Sequence, residues 1–286
     1  MTPSQKQLMD NIINCPNLTS GNTACSTIIG QQSGCRMQVP EPWNGDIENA
    51  EVLFLGTNPA LNIDEVYPSK DASWNSWVKM GQNTSALWDL SEAEKFFEGR
   101  FGKAICPETN TPYNYPCAGL QLNTSNVSNG SNFHYDPVRN SYWNIYFLIS
   151  KLIAPNCRDW SFLVSDFVHC KGPKNNGIVP ALCACQYYTL KIIEEFVKNK
   201  ATTHSIVIIG GNKRILNEEL AVLNPILTNK GQACTVGTYK TQPEEIIKVT
   251  CTILGKQVDL YTNFPSPSGS NRACCPVTFN GVTFSW

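Results

Sequence analysis

The stretch Glu51-Val-Leu-Phe-Leu-Gly-Thr-Asn-Pro-Ala60 limits what this chain can fold into more than any other. Residues 52–56 carry no charge, are largely apolar and stop at a glycine, so they lack the polar face of a surface helix and read as a strand buried on both sides, as parallel strands are. The run breaks at once into Thr57-Asn58-Pro59, a turn-forming sequence. Open α/β sheets bind ligands just beyond the carboxyl ends of their strands. Asn58, a short polar side chain followed by a rigid proline, therefore stands where chemistry is expected.

Further runs of this kind follow: residues 160–168, residues 205–211, and residues 246–254 and 257–261 joined as a hairpin across Gly255-Lys256. Helical patterning lies between them, at residues 4–13, 90–98, 140–152 and about 180–200, with Ser91 as N-cap and Glu94 completing a capping box for the second. Strands alternating with helices imply parallel pairing with helices on both faces. The expected fold is a three-layer α/β/α sandwich with a central, mainly parallel four-stranded sheet. At 286 residues and 42% hydrophobic content the chain can bury one sizeable core but is short for two large domains. One domain over residues 1–286 is expected, with a Cys-bearing N-terminal arm at 1–50 and a polar insertion, rich in Asn, Ser, Thr, Pro and Gly, at 103–136.

Charge and cysteine content narrow the function classes. With 22 basic and 23 acidic residues the formal charge is −1, which excludes a strongly basic coat for nucleic acid but not a local patch. The polar start Met1-Thr-Pro-Ser-Gln-Lys has no secretory pattern, and no apolar run reaches the roughly 20 residues of a bilayer span. An intracellular protein, of cytoplasm or nucleus and without membrane attachment, is expected. In a reducing compartment 13 cysteines point to thiols or a metal site before disulfides. Cys15, Cys25 and Cys35 are evenly spaced in the arm. Taken alone they read as unrelated thiols, because ligand pairs usually sit two to four residues apart.

The loops at residues 57–59, 166–170, 210–211 and 264–272 all follow strands and fall on one edge of such a sheet. Gly210-Gly211 lacks the spacing of a phosphate-binding fingerprint. One of Tyr67, Trp74 or Trp77, close after the Asn58 loop, could stack on a planar ligand. His169 reads as a hydrogen-bonded structural group at a strand end.

In combination these segments resemble the uracil-DNA glycosylase superfamily. Val52 to Ala60 is similar to the Gly-x-Asn-Pro form of the first motif of that family. Asn263-Phe-Pro-Ser-Pro-Ser-Gly-Ser-Asn-Arg272 resembles the second, His-Pro-Ser-Pro followed by a loop that enters the DNA minor groove. Ser165-Asp-Phe-Val-His-Cys-Lys-Gly-Pro-Lys-Asn-Asn176, continued to Cys185, is similar to the Thr-Asn-x-Val-x-Cys-x-x-Pro segment of the iron–sulfur branch. Gln38-Val-Pro-Glu-Pro-Trp43-Asn-Gly resembles the prelude of bacterial relatives. The resemblance covers roughly residues 35–60, 160–210 and 257–272.

That resemblance implies a monomeric, monofunctional DNA glycosylase of base excision repair, hydrolysing the N-glycosidic bond of uracil or another deaminated base flipped out of DNA. Asn58 would orient the water, with Asp166 as its catalytic and base-reading companion. Thr57, Pro59, Tyr67 and Phe264 would line the base pocket, and Ser266, Ser268, Ser270, Asn271 and Arg272 would hold the DNA. Cys25, Cys35, Cys170 and Cys185 would ligate a [4Fe–4S] cluster. Two positions depart from the pattern. Asp166 replaces an asparagine that pairs with the uracil edge, and Phe264 replaces a histidine that stabilises the leaving base. A catalytically inactive nucleic-acid-binding relative, or a nucleotide or nucleoside hydrolase, is the alternative.

Overall fold

The computed structural model describes residues 1–19, 21, 23–32, 38–61, 67, 90–101, 141–172, 176–198, 204–210, 213–229 and 246–265, with short strand pieces at 78–79, 82–83, 103–105, 112–116, 120–122, 135–137, 232–233, 277–279 and 282–284. Its centre is a sheet whose five longer strands are β1 (Val52–Gly56), β2 (Phe162–Asp166), β3 (His204–Gly210), β4 (Ile247–Ile253) and β5 (Lys256–Pro265). They lie in the order β4-β5-β3-β1-β2, and two-residue pieces at 228–229 and 232–233 extend the β4 edge. Strands β2, β1, β3 and β5 run parallel; only β4 and the short pieces beyond it are antiparallel. The sheet is thus α/β and mostly parallel as expected, but wider than four strands.

Among the described residues six α-helices accompany it: α1 (Pro3–Ile13), α2 (Thr23–Gly30), α3 (Leu90–Glu98), α4 (Ser141–Ile153), α5 (Ile178–Lys198) and α6 (Lys213–Leu223). Helix α1 starts on Thr2, whose side chain accepts from the Gln5 backbone while Gln5 reaches back to Thr2, so two otherwise orphaned amides are satisfied. Helix α3 begins at Leu90, which places Ser91 inside the helix and not at its cap. Among the described residues no helix is long and apolar enough to cross a membrane.

Alternation along the strands divides the core in two. Leu53, Leu55, Leu163, Ile206 and Ile208 point to one side, where they pack with buried residues of α1, α2, α5 and α6. Val52, Phe54, Phe162, Val164, Val207 and Ile209 point to the other, against Tyr146 and Ile149 of α4. Both faces of β1 are therefore dry, which is why its sequence is a continuous apolar run.

The N-terminal arm is more deeply integrated than its polar composition suggests. Leu8, Met9, Ile12, Ile13, Cys15, Leu18, Cys25 and Ile28 are all buried in the larger cluster. Gly177, at φ +81° just before α5, lets the chain press on α2: a Cβ there would meet the Thr27 side chain at 2.7 Å.

The end of β5 also differs from expectation. Residues 263–265 continue the strand, with Phe264 opposite Ile209 and Pro265 opposite Gly210 after a register shift beyond Tyr261. Parallel pairing with β3 overrides the turn propensity of Thr262-Asn263, and the irregularity absorbs the mismatch.

Candidate functional site

The carboxyl ends of β1, β2, β3 and β5 lie on one edge, because Gly56 pairs with Asp166, Leu55 with Ile208 and Pro265 with Gly210. From β1 the chain passes to β2 on one side, and from β3 it passes onward to β5 on the other. The crevice between β1 and β3 is thus the switch point of the sheet, the place where such folds bind ligands.

The loops after β1 and β2 are fastened together by backbone hydrogen bonds. Phe167 N–H donates to Gly56 at 2.8 Å, Val168 N–H to Thr57 at 3.0 Å and Gly172 N–H to Pro59 at 3.1 Å, while Leu61 N–H donates back to Gly172 at 3.3 Å. Asn58 sits half-buried in this clasp. Its Nδ2 points to the carbonyls of Pro59 (3.4 Å) and Gly172 (3.5 Å). Its Oδ1 meets no hydrogen-bond donor among the described residues. The donating half of the amide thus faces these two carbonyls.

Asp166 lies across Gly56. A Cβ at position 56 would fall 2.3 Å from Asp166 Oδ1, so only glycine lets β1 pass beneath this carboxyl. Asp166 is only 7% exposed. Burial raises its pKa well above the carboxylate range; Glu41 adds to the rise, Lys171 opposes it, and Glu219 adds a little more.

Glu41 and Lys171 form a buried ion pair near Asp166, and Glu219 is a further buried carboxyl acting on it, neither of which motif and spacing revealed. Glu41 takes Asn44 Nδ2 on one oxygen at 2.5 Å and faces Lys171 Nζ from the other at 3.4 Å. Lys171 Nζ also stands 3.7 Å above the ring of Tyr67, a close cation–π contact. Tyr67 is itself wholly buried, with Phe96 and Phe97 edge-on to it. A planar ligand would have to displace Lys171 to stack on that face. The prelude carrying Glu41 is held against β2 by reciprocal backbone bonds between Asn44 and Val164, at 2.7 and 3.0 Å, and by Ser165 Oγ donating to Pro42 at 2.6 Å.

Glu219, on α6, is 1% exposed. Burial, the largest influence, lifts its pKa to about 7, and the Thr57 side chain pulls it back a little. Its Oε1 has no partner among the described residues. The periodicity of residues 213–223 marks position 219 as inward-facing only once the helix is docked. His169 is buried, pairs through Nδ1 with the Glu41 carbonyl at 2.9 Å, and burial lowers its pKa to about 4. It is neutral at pH 7 and structural, as its position at a strand end suggested.

Of the five cysteines buried in the larger core, four act on one another electrostatically: Cys15 beyond α1, Cys25 in α2, Cys170 after β2 and Cys185 in α5. Burial pushes the Cys185 thiol up to about 12 and Cys170 higher still, and both are raised further by Cys25 and Cys15. Cys183, the neighbouring thiol on α5, is exposed, so α5 turns Cys185 inward and Cys183 out. Among the described residues no three His, Cys, Asp or Glu side chains converge closely enough to hold a metal ion. Cys15, ten residues from Cys25, is the member that spacing did not select. Cys35 lies outside the described residues, as do Trp74, Trp77, Ser266, Ser268, Ser270, Asn271 and Arg272. For Phe264 the backbone position at the end of β5 is described.

No protein-family model matches the chain, and no curated protein matches it.

Proposed function

We propose that the protein is a DNA glycosylase that hydrolyses the N-glycosidic bond of uracil or another deaminated base, on a three-layer α/β/α sandwich whose two core clusters lie on opposite sides of the sheet. The observation that carries this reading is Asn58. Its amide nitrogen is directed to Gly172 and its oxygen meets no donor among the described residues, at a strand end near the buried carboxyl of Asp166, in a sequence that resembles the Gly-x-Asn-Pro motif.

The chemistry follows from the residues present. A flipped base leaves as an anion from an oxocarbenium-like sugar, so the site must hold a water against the anomeric carbon and tolerate negative charge on the base. Asn58 Oδ1 accepts a hydrogen from that water and aims its lone pair. Asp166, buried and with its pKa raised, is biased toward the protonated carboxyl, a form that would offer one donor beside one acceptor as the asparagine it replaces does. Thr57, Pro59 and Phe264 would line the base pocket, as the resemblance implies, and a phenylalanine at position 264 would bring no charge stabilisation. Ser266, Ser268, Ser270, Asn271 and Arg272 would then follow as the DNA-gripping loop.

Cys15, Cys25, Cys170 and Cys185 match a [4Fe–4S] cluster in donor type and number, but among the described residues no three of them converge closely enough to hold a metal ion. Such a cluster would supply a cross-link between the N-terminal arm, the β2 loop and α5. The thiols would have to lose their protons to bind it, which their mutual repulsion and burial resist until a cation arrives.

The test is strand cleavage. The protein is incubated with single- and double-stranded oligonucleotides bearing uracil, hypoxanthine or xanthine and then treated with alkali. Breaks at the damaged base support the reading, whereas DNA binding without breaks assigns the protein to non-catalytic binders. Asn58→Ala should lose cleavage by about 10²-fold or more while keeping DNA affinity, as removal of a single water- or charge-positioning group does.

A further inference from the structure

A base that leaves as an anion must be met by a positive group or a hydrogen-bond donor in a site that excludes water. Asn58 Nδ2 already faces protein carbonyls, and a phenylalanine at position 264 has no donor. Lys171 is the cation of the two clasped loops, residues 57–61 and 167–172, since His169 is neutral at pH 7. Backbone contacts fix its place. The loops run side by side from Gly56 opposite Asp166 to Ala60 opposite Gly172, and Asn58 Nδ2 lies 3.5 Å from the Gly172 carbonyl, so Lys171 immediately precedes the residue that Asn58 faces. Its own carbonyl accepts from Gln32 Nε2 at 2.9 Å. From there the side chain runs inward, with Nζ 3.7 Å from the centroid of the Tyr67 ring and 3.4 Å from Glu41 Oε2. Lys171 thus joins the loop of Asn58 to the ring on which a flipped base would stack.

Fold stability does not account for a lysine here. The Glu41 segment is fastened without it, by Glu41 N–H donating to the His169 carbonyl at 2.8 Å and by the reciprocal bonds of Asn44 and Val164. Replacing a buried ion pair by apolar side chains of similar volume is often neutral or stabilising. Glu41 holds Asn44 Nδ2 at 2.5 Å but Lys171 at 3.4 Å, beyond the roughly 2.7–2.9 Å of a tight charged hydrogen bond. This pairing is loose enough to let the ammonium shift.

Resting on the glycosylase reading, we propose that Lys171 stabilises the departing base, its ammonium donating a hydrogen bond to a carbonyl oxygen of the base as negative charge builds there. A base that stacks on Tyr67 takes the position of Nζ, and the ammonium moves to the edge of the base. The step balances. The C–N bond breaks with its electron pair going to the base, while the water oxygen forms the new bond to the anomeric carbon and the water gives one proton to solvent. Lys171 keeps its proton throughout, and the base anion takes one from solvent after release. The interaction strengthens only as charge develops, which is the condition for accelerating the chemical step.

Single-turnover release of uracil and of 5-fluorouracil from oligonucleotides by the full chain tests this, because the fluorinated base is the better leaving group and needs less stabilisation. Lys171→Met should slow uracil release by about 10²–10³-fold and 5-fluorouracil release clearly less, with DNA affinity unchanged. That variant leaves Glu41 buried without its cation, so Glu41→Gln/Lys171→Met is measured beside it and should show the same unequal losses. A shortage of folded protein lowers both releases alike, so the ratio of the two losses is the readout. Equal losses for the two bases, or a wild-type rate in either variant, overturn the proposal and leave the glycosylase reading standing. A wild type that releases neither base sinks that reading, and this proposal with it.

Discussion

The two sides of the sheet are packed by different chemistry, and the contrast shows where this protein tolerates polarity. On the α4 side five of the eleven buried residues are aromatic, so ring geometry holds that layer. Phe54 meets Tyr146 edge-on at 5.0 Å and Phe162 at 5.6 Å, while Phe101 lies 4.6 Å from Phe162. On the other side aliphatic chains from α1, α2, α5 and α6 share the core with Cys15, Cys25, Cys170, Cys185 and Cys251. Beside it run the buried groups Glu41, Lys171, His169 and Glu219. One side is held mainly by ring and aliphatic contact, with Tyr261 under Lys248 as a polar member. The other carries groups whose protonation can change, and with it their hydrogen bonding.

That contrast can be broken experimentally. Phe54→Ala removes the ring at the centre of the aromatic layer and should cost about 3–5 kcal/mol in denaturant unfolding, evenly across pH. A loss under 1 kcal/mol would mean that α4 packs on something other than those rings.

Glu219→Gln should act in the opposite direction, and only at higher pH. The folded pKa of Glu219, about 7, lies above its ordinary 4.5, so the folded protein holds this proton more tightly than the unfolded chain does. Stability from this group is present at low pH and is lost as pH rises from about 4.5 to 7, a cost on the order of 3 kcal/mol. The glutamine variant should therefore be more stable than the wild type at pH 8 and little different at pH 4.5. Urea melts that run parallel at the two pH values would remove Glu219 from the buried set.

Gly56→Ala probes the edge where β1 passes under Asp166. Its Cβ would fall 2.3 Å from Asp166 Oδ1, and displacing that buried carboxyl should cost about 1–3 kcal/mol. An unchanged melting temperature would show that Asp166 moves freely. The smallest effect is expected at Cys183. Exposed on α5, it should react first with a maleimide in the native protein, and Cys183→Ser should change stability by about 0.5 kcal/mol or less. Equal labelling of Cys185 under native conditions would contradict its inward placement.

Much of the fold was legible in the chain. A charge-free run ending in Gly56-Thr57-Asn58-Pro59 leaves little choice but a buried strand and an edge loop, and strands alternating with helices impose parallel pairing. The hairpin of β4 and β5 was visible in its turn at Gly255. The end of β5 was not, because Thr262 and Asn263 favour turns locally and only β3 alongside holds residues 263–265 in register. Ser91 likewise looked like a cap while the helix starts one residue earlier.

The site divides in the same way. Sequence by itself determined the scaffold: which strands form, that their carboxyl ends meet on one edge, and that Asn58 and Asp166 lie there. Tertiary structure decided the partners. Glu41 meets Lys171 across 130 positions, Glu219 is buried only once α6 docks, and Cys15 joins Cys25, Cys170 and Cys185 in the core although none is at ligand spacing from it. The physical reason is range. Periodicity and turn chemistry act over a few residues and can be read along the chain. Burial of a charge, and the choice of what stands next to it, exists only once separate helices and strands have closed around it.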